Sequence, residues 1–344
     1  MERDIKKILL IMVHSAGVGD MLRASASWRA LKNKFPTAEL HLLFLTKDPG
    51  YVSETLISKH HLLASFHTLD KRLKGLKDWI EFFKGFAKLV KELNPDLIVD
   101  MEPHGLESSM LCLYARLKYK IPSVGIAEFP GRGLFYTHKA SSSRSVLKSK
   151  DYTDRYFVVL KAFGIERQGM PIELEETEEG RQFRETMRSR FSIPENVPLL
   201  GLNIGCGTPD ALWRRPNLEL LREAIQKVQQ ATSSFLVLSG ANFETDVNER
   251  FLEGYDLPAL NLAGKTHILE LAGLIKACRL FISSDSGPYH MSVALKVPTL
   301  GVFVKDFPPS YHNHPWVRNV VLQSHQDIEK FISSALELWK YPSE

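Results

Sequence analysis

Cysteine and long apolar runs are what this sequence has least of. Its three cysteines, Cys112, Cys206 and Cys278, lie far apart with no paired spacing, which argues against a disulfide framework and against a zinc or iron–sulfur site. No apolar run approaches the roughly 20 residues that span a bilayer. The run near the N-terminus, residues 8–13, is too short for a signal peptide. We therefore expect a protein of the reducing cytoplasm that holds no metal and no cofactor.

Charge of either sign is also not in excess. The sequence has 44 Lys and Arg against 40 Asp and Glu, and the formal net charge of +4 is too small to indicate a protein that binds nucleic acid. The same balance tolerates an anionic substrate or an anionic membrane surface. We therefore expect no nucleic-acid partner.

The sequence does contain a regular alternation of strand and helix patterns. A chain of 344 residues is longer than one typical domain, so two domains are expected. Continuous apolar runs, typical of parallel strands buried on both faces, alternate with amphipathic segments. The runs cover residues 8–13, 39–45, 66–69 and 96–100, and then 199–204, 235–238, 280–282 and 299–303. An acidic segment from Glu173 to Glu179 separates the two groups. The pattern predicts an α/β protein with two doubly wound domains.

The most informative stretch is the turn that follows the third run of the second group. Ser286 can cap a helix, Gly287 allows backbone to approach a ligand, and Pro288 suits the first helical position. The N–H groups beyond them would hold a diphosphate. His290 would donate to a phosphate oxygen, and Asp285 would hold a ribose or base edge. The same residues would also make an ordinary capped helix, and the turn alone does not decide between these interpretations.

Several blocks of the chain resemble glycosyltransferase family 9, the ADP-heptose:lipopolysaccharide heptosyltransferases. Four blocks in the second half agree with the family in order and spacing: residues 261–266, 269–272, 285–290 and 294–299. In the first half, residues 17–22, 28–32 and 35–36 are similar to the N-terminal signature of the same family. The resemblance implies a GT-B fold, in which two Rossmann-like domains have parallel sheets that face one another across a cleft.

The resemblance also implies that the two domains bind different substrates. Residues 1–165 are expected to form the acceptor-binding domain and residues 166–325 the nucleotide-sugar donor domain. The last segment, residues 326–344, is expected to be a helix that can pack back onto the first domain, as terminal helices do in this fold.

Asp20 matches the proposed catalytic base of the family. Sugar transfer with inversion needs one carboxylate to take the proton of the acceptor hydroxyl as it attacks the anomeric carbon. The growing charge on the leaving nucleoside diphosphate would be met by the helix N-terminus at Ser286 and Gly287 and by His290, without a metal. Without the resemblance, the preferred interpretation of Asp20 is an ordinary helix-capping residue after a glycine turn.

Further residues are assigned to donor and acceptor by the same resemblance. Arg214 would contact the nucleotide phosphates, Glu244 would hold the ribose, and the segment Lys265–Thr266 would pass the adenine. Without the resemblance, Arg214 could be a solvated helix-start residue and Glu244 a cap or ion-pair residue. Thr208 and Gly240 complete the predicted donor set. The predicted acceptor set consists of His14, Gly17, Gly19 and Arg132.

The segment from Leu73 to Leu93 admits two interpretations. Its lysines oppose an apolar stripe, as in a helix that lies on a membrane surface. The preferred interpretation is a crossover helix packed on the sheet, because a strand follows immediately and the stripe is no wider than packing requires. The serine-rich stretch, residues 141–145, is expected to be a mobile loop.

The function implied is a metal-independent, inverting glycosyltransferase that moves a heptose or a similar sugar from an ADP-sugar to a lipopolysaccharide inner core or a related glycan. The expected partners are a nucleotide sugar and a glycolipid or glycan acceptor. The expected location is the cytoplasm, with peripheral contact at the cytoplasmic face of the inner membrane left open. Two alternatives remain at this point: a sugar-nucleotide epimerase or hydrolase of the same fold, and a non-catalytic protein that binds nucleotide sugars.

Overall fold

The computed structural model describes residues 5–13, 17–47, 49–102, 105–127, 130–140, 152–206, 209–305, 307 and 311–342. The chain divides into two compact units, Met1–Met170 and Pro171–Glu344. This division lies five residues from the expected boundary between residues 165 and 166. No helix in these ranges is both long and apolar enough to cross a bilayer.

The first unit is an α/β layer built on a six-stranded parallel sheet. The strand order is β3-β2-β1-β4-β5-β6. Its strands are β1 (Lys7–Val13), β2 (Glu39–Thr46), β3 (Ser65–Asp70), β4 (Leu97–Asp100), β5 (Ser123–Ile126) and β6 (His138–Ala140). Its helices are α1 (Val18–Lys34), α2 (Val52–Ser58), α3 (Leu76–Leu93), α4 (Leu106–Tyr119) and α5 (Tyr152–Leu160), with 3-10 turns at Arg132–Phe135 and Lys161–Phe163. The serine-rich stretch lies outside the described residues.

The core of the first unit shows why these elements pack as they do. Strand β1 is apolar at every internal position and β2 at every internal position except His41, and the internal residues of both strands are buried. Helix α3 buries Phe82, Phe86, Leu89 and Val90 against the sheet. The crossover interpretation of this helix is therefore confirmed for its inner face, although the helix begins at Leu76 and not at residue 73.

The second unit repeats the same topology. Its six parallel strands have the order β12-β11-β10-β7-β8-β9. They are β7 (Leu199–Asn203), β8 (Phe235–Ser239), β9 (Ala259–Asn261), β10 (Cys278–Ser284), β11 (Thr299–Phe303) and β12 (Val317–Val321). Its helices are α6 (Glu178–Arg190), α7 (Leu218–Thr232), α8 (Thr245–Leu252), α9 (Ile268–Ala277), α10 (Gly287–Ala294) and α11 (Ile328–Trp339), with 3-10 turns at Pro209–Arg214, Asn242–Glu244 and His325–Asp327.

Side-chain caps fix the start of two helices of the second unit. The Thr177 hydroxyl accepts from the N–H of Gly180, so the last two residues of the acidic segment, Glu178 and Glu179, lie in the first turn of α6. The Asn217 side chain accepts from the N–H groups of Glu219 and Leu220 and starts α7. These caps satisfy N–H groups that the helices cannot satisfy internally.

The terminal helix α11 packs within the second unit. Its buried residues Ile328, Phe331, Ala335 and Leu338 belong to the same core as the apolar residues of β10, β11, β12 and α7. The packing of residues 326–344 on the first unit stays a prediction.

Candidate active site and family

Strand order locates the candidate site within each unit. Both sheets have the order 3-2-1-4-5-6 of a doubly wound fold, and the direction of winding reverses between β1 and β4 in the first unit and between β7 and β10 in the second. Ligands of such sheets bind beyond the carboxyl ends of the strands at this reversal. Asp20 follows β1, and the turn around Asp285 follows β10.

Polar side chains connect the carboxyl ends of three strands in the second unit. The Asn203 amide, at the end of β7, donates to the Ser286 hydroxyl at 3.1 Å, and the Ser239 hydroxyl, at the end of β8, donates to Asn203 Oδ1 at 3.2 Å. The Ser284 hydroxyl donates to the carbonyl of Gly205. These bonds hold the turns after β7 and β10 against one another, and apart from Ser286 these residues were not predicted as part of the site.

The start of α10 differs from the prediction in two details. Ser286 is the N-cap residue, but its hydroxyl does not accept from a helix N–H; it donates to the carbonyl of Ser284 at 3.2 Å instead. Gly287 is the first helical residue, so Pro288 occupies the second position. The turn thus places the N-terminus of α10 at the carboxyl ends of the strands, and a helix N-terminus favours a bound anion.

Arg214 and Asp285, which the sequence predicted separately, lie together. Arg214 Nη1 is 3.4 Å from Asp285 Oδ2 and donates to the Asp285 carbonyl at 3.3 Å. The Trp213 ring, which is exposed, has the Arg214 guanidinium 5.3 Å from its centroid and the Lys305 ammonium 4.7 Å from its centroid. Two cations and an aromatic face therefore border the turn, and sequence reasoning had assigned no role to Trp213 or Lys305.

His290 is only 3% exposed and belongs to a hydrogen-bonded chain. The Tyr311 hydroxyl donates to Asp285 Oδ1 at 3.0 Å and lies 3.1 Å from His290 Nε2, while His290 Nδ1 lies 2.8 Å from His312 Nε2. Because the phenol has one proton and gives it to Asp285, its oxygen accepts from His290 Nε2–H, and His290 Nδ1 then accepts from His312. In this arrangement His290 orients Tyr311 and Asp285. Its contact with phosphate stays a prediction.

Glu244 is buried and makes the contacts that the alternative interpretation expected. Its Oε2 accepts from the N–H of Ala241 at 2.8 Å, and its Oε1 is 3.9 Å from Arg215 Nη2. A Cβ at Gly205 would come within 1.7 Å of Oε1, so the glycine turn after β7 closes directly over this carboxylate. The carboxylate lies at the same sheet edge as the Asp285 turn, and its role toward ribose stays a prediction.

Three of the remaining predicted donor residues lie close together. Gly240 directly follows β8, and its carbonyl accepts from the N–H of Gly264 at 2.9 Å, which brings the next predicted residues, Lys265 and Thr266, to the carboxyl end of that strand. Thr208, like His14 of the acceptor set, lies outside the described residues.

Asp20 is the third residue of α1 and its side chain is 29% exposed. Arg23 Nη1 lies 3.4 Å from its Oδ1, and the Tyr156 hydroxyl donates to its carbonyl at 3.1 Å. Helix α1 begins at Val18 with Gly17 as N-cap, and Gly19 is buried in its first turn. A Cβ at Gly17 would come within 3.3 Å of Asp20 Oδ2, so the glycine keeps the space beside the carboxylate open.

The buried phenol of Tyr156, next to Asp20, has a raised pKa. Burial raises the pKa of Tyr156, and the negative charges of Asp20 and Glu102 raise it further. Tyr156 therefore stays protonated and acts as a hydrogen-bond donor to the backbone of Asp20. This contact joins α5 to the first turn of α1.

Arg132, predicted on the acceptor side, is 5% exposed. It donates to Asp100 Oδ2 at 3.3 Å and to the carbonyl of Glu102 at 2.7 Å. The Tyr136 hydroxyl donates to the same Asp100 oxygen at 2.7 Å. Burial raises the pKa of Asp100, and the Arg132 charge opposes that rise. The triad fixes the end of β4, and a contact of Arg132 with the acceptor stays a prediction.

Within the described ranges, no group of three or more His, Cys, Asp and Glu side chains is arranged to hold a metal ion.

Comparison with known proteins identifies the family. Residues 85–333 match the family model described as glycosyltransferase family 9 (heptosyltransferase). The chain belongs to glycosyltransferase family 9. Lipopolysaccharide heptosyltransferase 3 of Escherichia coli K12 is 21% identical over 307 residues, which are 88% of this chain and 84% of that protein.

Solved structures of family 9 proteins share the fold. The glycosyl transferase family 9 protein of Veillonella parvula has a TM-score of 0.74 and 20% identity, covering 97% of this chain and 90% of its own. An E. coli heptosyltransferase solved with ADP-2-deoxy-2-fluoro heptose has a TM-score of 0.61 and 15% identity, covering 96% of this chain and 98% of its own. The predicted family and the predicted GT-B fold class are confirmed.

Proposed function

We propose that this family 9 protein is a metal-independent, inverting heptosyltransferase that uses an ADP-sugar donor and a lipopolysaccharide inner-core or related glycan acceptor in the cytoplasm. The observation that carries the donor half is the meeting of Arg214 and Asp285 beside the N-terminus of α10. An ADP-heptose analogue bound to one relative supports the choice of donor.

The donor half has a direct chemical role in this proposal. As the bond from the anomeric carbon to the diphosphate breaks, negative charge grows on the departing phosphate oxygens. The partial positive charge at the start of α10 and the guanidinium of Arg214 stabilise that charge. Tyr311 and His290 hold the Asp285 carboxylate in place through the hydrogen-bonded chain.

Asp20 supplies the base. Its carboxylate takes the proton of the acceptor hydroxyl while that oxygen attacks the anomeric carbon from the face opposite the leaving ADP, so the configuration inverts. Arg23 holds the carboxylate by its Oδ1, and Gly17 leaves space beside Oδ2 for a hydroxyl.

The test compares two aspartates in equivalent positions. Asp20 and Asp78 are each the third residue of a helix with a glycine N-cap. Asp20→Asn should lower kcat by about 10²–10⁴-fold and leave the rise in Tm caused by ADP unchanged, whereas Asp78→Asn should change stability and not kcat. Turnover of Asp20→Asn at the wild-type rate would remove Asp20 from the role of base.

The donor and the reaction type have separate readouts. Of ADP, UDP, GDP and CMP, we expect ADP alone to raise Tm, because a ligand that binds only the folded state stabilises it. Transfer requires an acceptor, so product formation from ADP-heptose in the absence of any acceptor would indicate an epimerase or hydrolase instead. Binding without any product would indicate a non-catalytic protein.

A further inference from the structure

Helix α3 has a second apolar stripe besides the one that packs on the sheet. Leu76 is 78% exposed and Ile80 is 45% exposed, while Trp79 and Phe83 are only partly covered by the core of the first unit. These four residues recur at intervals of three and four, so they share one side of the helix. Family membership and the proposed reaction give this stripe no role.

Helix α4 presents a matching stripe. Leu106, Met110, Tyr114 and Lys118 follow one another at intervals of four. A groove of about 800 Å³ is lined by α3 and α4. We call it the α3–α4 groove; its large apolar and aromatic lining residues are Leu76, Trp79, Ile80, Phe83, Met110 and Tyr114. The Phe83 and Tyr114 rings, one from each helix, have centroids 5.2 Å apart, so α3 and α4 contact one another at the groove.

The rim of the groove is basic. Lys84, Lys88, Lys91 and Lys118 line it, and among the residues that the structure describes no acidic side chain does. An adjoining pocket of about 430 Å³ shares Trp79 and adds Lys47, Lys71, Arg72 and Lys74, and Glu107 is the one acidic residue among its described lining residues. Lys84 and Lys88 pair with Glu81 and Glu92 on the exposed side of α3, but exposed pairs of this kind are weak and leave both lysines able to meet another anion.

We propose that the α3–α4 groove and its lysine rim form a docking surface for an anionic phospholipid bilayer. The apolar side chains would enter the boundary between headgroups and acyl chains, and the lysines would extend to the lipid phosphates. Each lysine near such a surface contributes about a fivefold gain in binding. A soluble anion would explain the lysines but not the exposed Leu76 and Ile80.

Charge argues against a second copy of the chain as the occupant. Two copies related by a two-fold axis through the groove would place one lysine rim opposite the other, and like charges across an interface are unfavourable. A bilayer that contains anionic lipid offers the complementary charge and an apolar interior at the same time.

The experiment measures cosedimentation of the full chain with vesicles, in the absence of donor. Vesicles with about 30% phosphatidylglycerol in phosphatidylethanolamine are compared with vesicles of phosphatidylcholine alone, at low and at high salt. We expect binding to the anionic vesicles that weakens with salt, and little binding to the neutral ones. Because no sugar is transferred, the result is independent of the proposed reaction.

Two double variants test the two components of the surface. Leu76→Ser/Ile80→Ser removes the exposed apolar residues and should abolish sedimentation with unchanged Tm. Lys88→Gln/Lys91→Gln should weaken binding about 25-fold, from two lysines at about fivefold each. The matched control is Lys330→Gln/Lys340→Gln, two exposed lysines of the second unit, which changes the net charge equally and should bind as the wild type does.

Four outcomes would overturn the proposal: failure of the wild type to bind anionic vesicles, equal binding to neutral vesicles, an equal loss in the control variant, or binding by Leu76→Ser/Ile80→Ser at the wild-type level. Self-association in buffer that is lost in Leu76→Ser/Ile80→Ser would assign the groove to a second copy and overturn the proposal as well.

Discussion

The guanidinium of Arg214 lies 3.4 Å from the carboxylate of Asp285, although 71 positions separate the two residues in sequence. The neighbouring Arg215 turns to a different partner and lies 3.9 Å from Glu244. Adjacent arginines therefore serve two carboxylates, one at the start of α10 and one beneath the turn that follows β7. The two can be separated by mutation.

We expect Arg214→Met to weaken ADP binding by about 10–100-fold, because a hydrogen bond to a charged group contributes about 1.5–3 kcal/mol. Arg215→Met is the matched control: it removes a cation from beside the buried Glu244, so it should lower Tm more than Arg214→Met does and weaken ADP binding less. Isothermal titration with ADP and thermal melts of both variants give the comparison. Equal ADP affinity in Arg214→Met and wild type would contradict the assignment of Arg214.

Tyr311 provides a test of the hydrogen-bonded chain. Tyr311→Phe keeps the ring, which stacks on Tyr289 with centroids 5.8 Å apart, and removes the hydroxyl that joins His290 to Asp285. We expect a loss of about 0.5–1.5 kcal/mol in stability and a several-fold rise in KM for the donor, because Asp285 is no longer held.

Tyr289→Phe is the control for that prediction. Its hydroxyl donates to Asn319 Oδ1 at 2.7 Å, away from Asp285, so it should lower stability by a similar amount and leave KM unchanged. If both variants shift KM equally, the chain through Tyr311 has no specific role in positioning Asp285.

The strands that could be predicted from the sequence are those that form continuous apolar runs. Each predicted apolar run is a strand of the structure, and all of them except β3 are interior strands, which are covered on both faces and mainly apolar. The strands β5, β6, β9 and β12 were missed. They have three to five residues each, which is too short for a clear pattern. β6 and β12 also lie at sheet edges, where His138, Lys139 and Arg318 can face water and interrupt the apolar pattern.

The residues of the candidate site also fall into two groups, those that the sequence indicated and those that it did not. Asp285 and Arg214 follow or precede regular elements at positions with turn chemistry, so the sequence pattern together with the family resemblance indicated them. Tyr311 and His312 sit in an irregular stretch between β11 and β12, where no periodicity relates them to α10. Only the packing of that stretch against His290 brings them to the turn, and such long-range contacts are not encoded in a local pattern.

From the contact of Arg132 with Asp100 we expect the free energy of unfolding to depend on pH. Burial holds the pKa of Asp100 in the folded state above its ordinary value, and Arg132 limits the rise. A carboxyl with a raised folded pKa contributes stability that is fully present below its unfolded pKa of about 4 and is lost as pH rises through the folded pKa. Without Arg132 the folded pKa of Asp100 rises further, so more stability is lost on going to high pH.

We therefore expect Arg132→Met to cost about 3–5 kcal/mol near pH 8 and clearly less at pH 5, as measured by urea unfolding. In the double variant Asp100→Asn/Arg132→Met, the loss in free energy of unfolding relative to the wild type should not show this dependence on pH, because the buried carboxyl of Asp100 is no longer there to titrate. A cost for Arg132→Met that is the same at both pH values would contradict this account. A rise in acceptor KM without loss of stability would support the acceptor role predicted for Arg132 instead.

Two glycines in helices should respond in opposite ways to alanine. Helices α6 and α9 approach so closely that a Cβ at Gly273 would lie 2.1 Å from the carbonyl oxygen of Gly180. Because that atom is backbone, Gly273→Ala must separate the two helices, and we expect a loss of about 1–3 kcal/mol. At Gly85 in α3 the added Cβ meets only the end of the Leu69 side chain, at 2.9 Å.

Leu69 can rotate away, so Gly85→Ala should gain most of the roughly 1 kcal/mol by which alanine favours a helix over glycine. Both variants make the same chemical change inside a helix, and urea unfolding of each measures the difference directly. A loss of stability in Gly85→Ala as large as that in Gly273→Ala would mean that helix propensity and side-chain mobility do not decide the outcome. The close contact of α6 with α9 would then not be the reason for glycine at position 273.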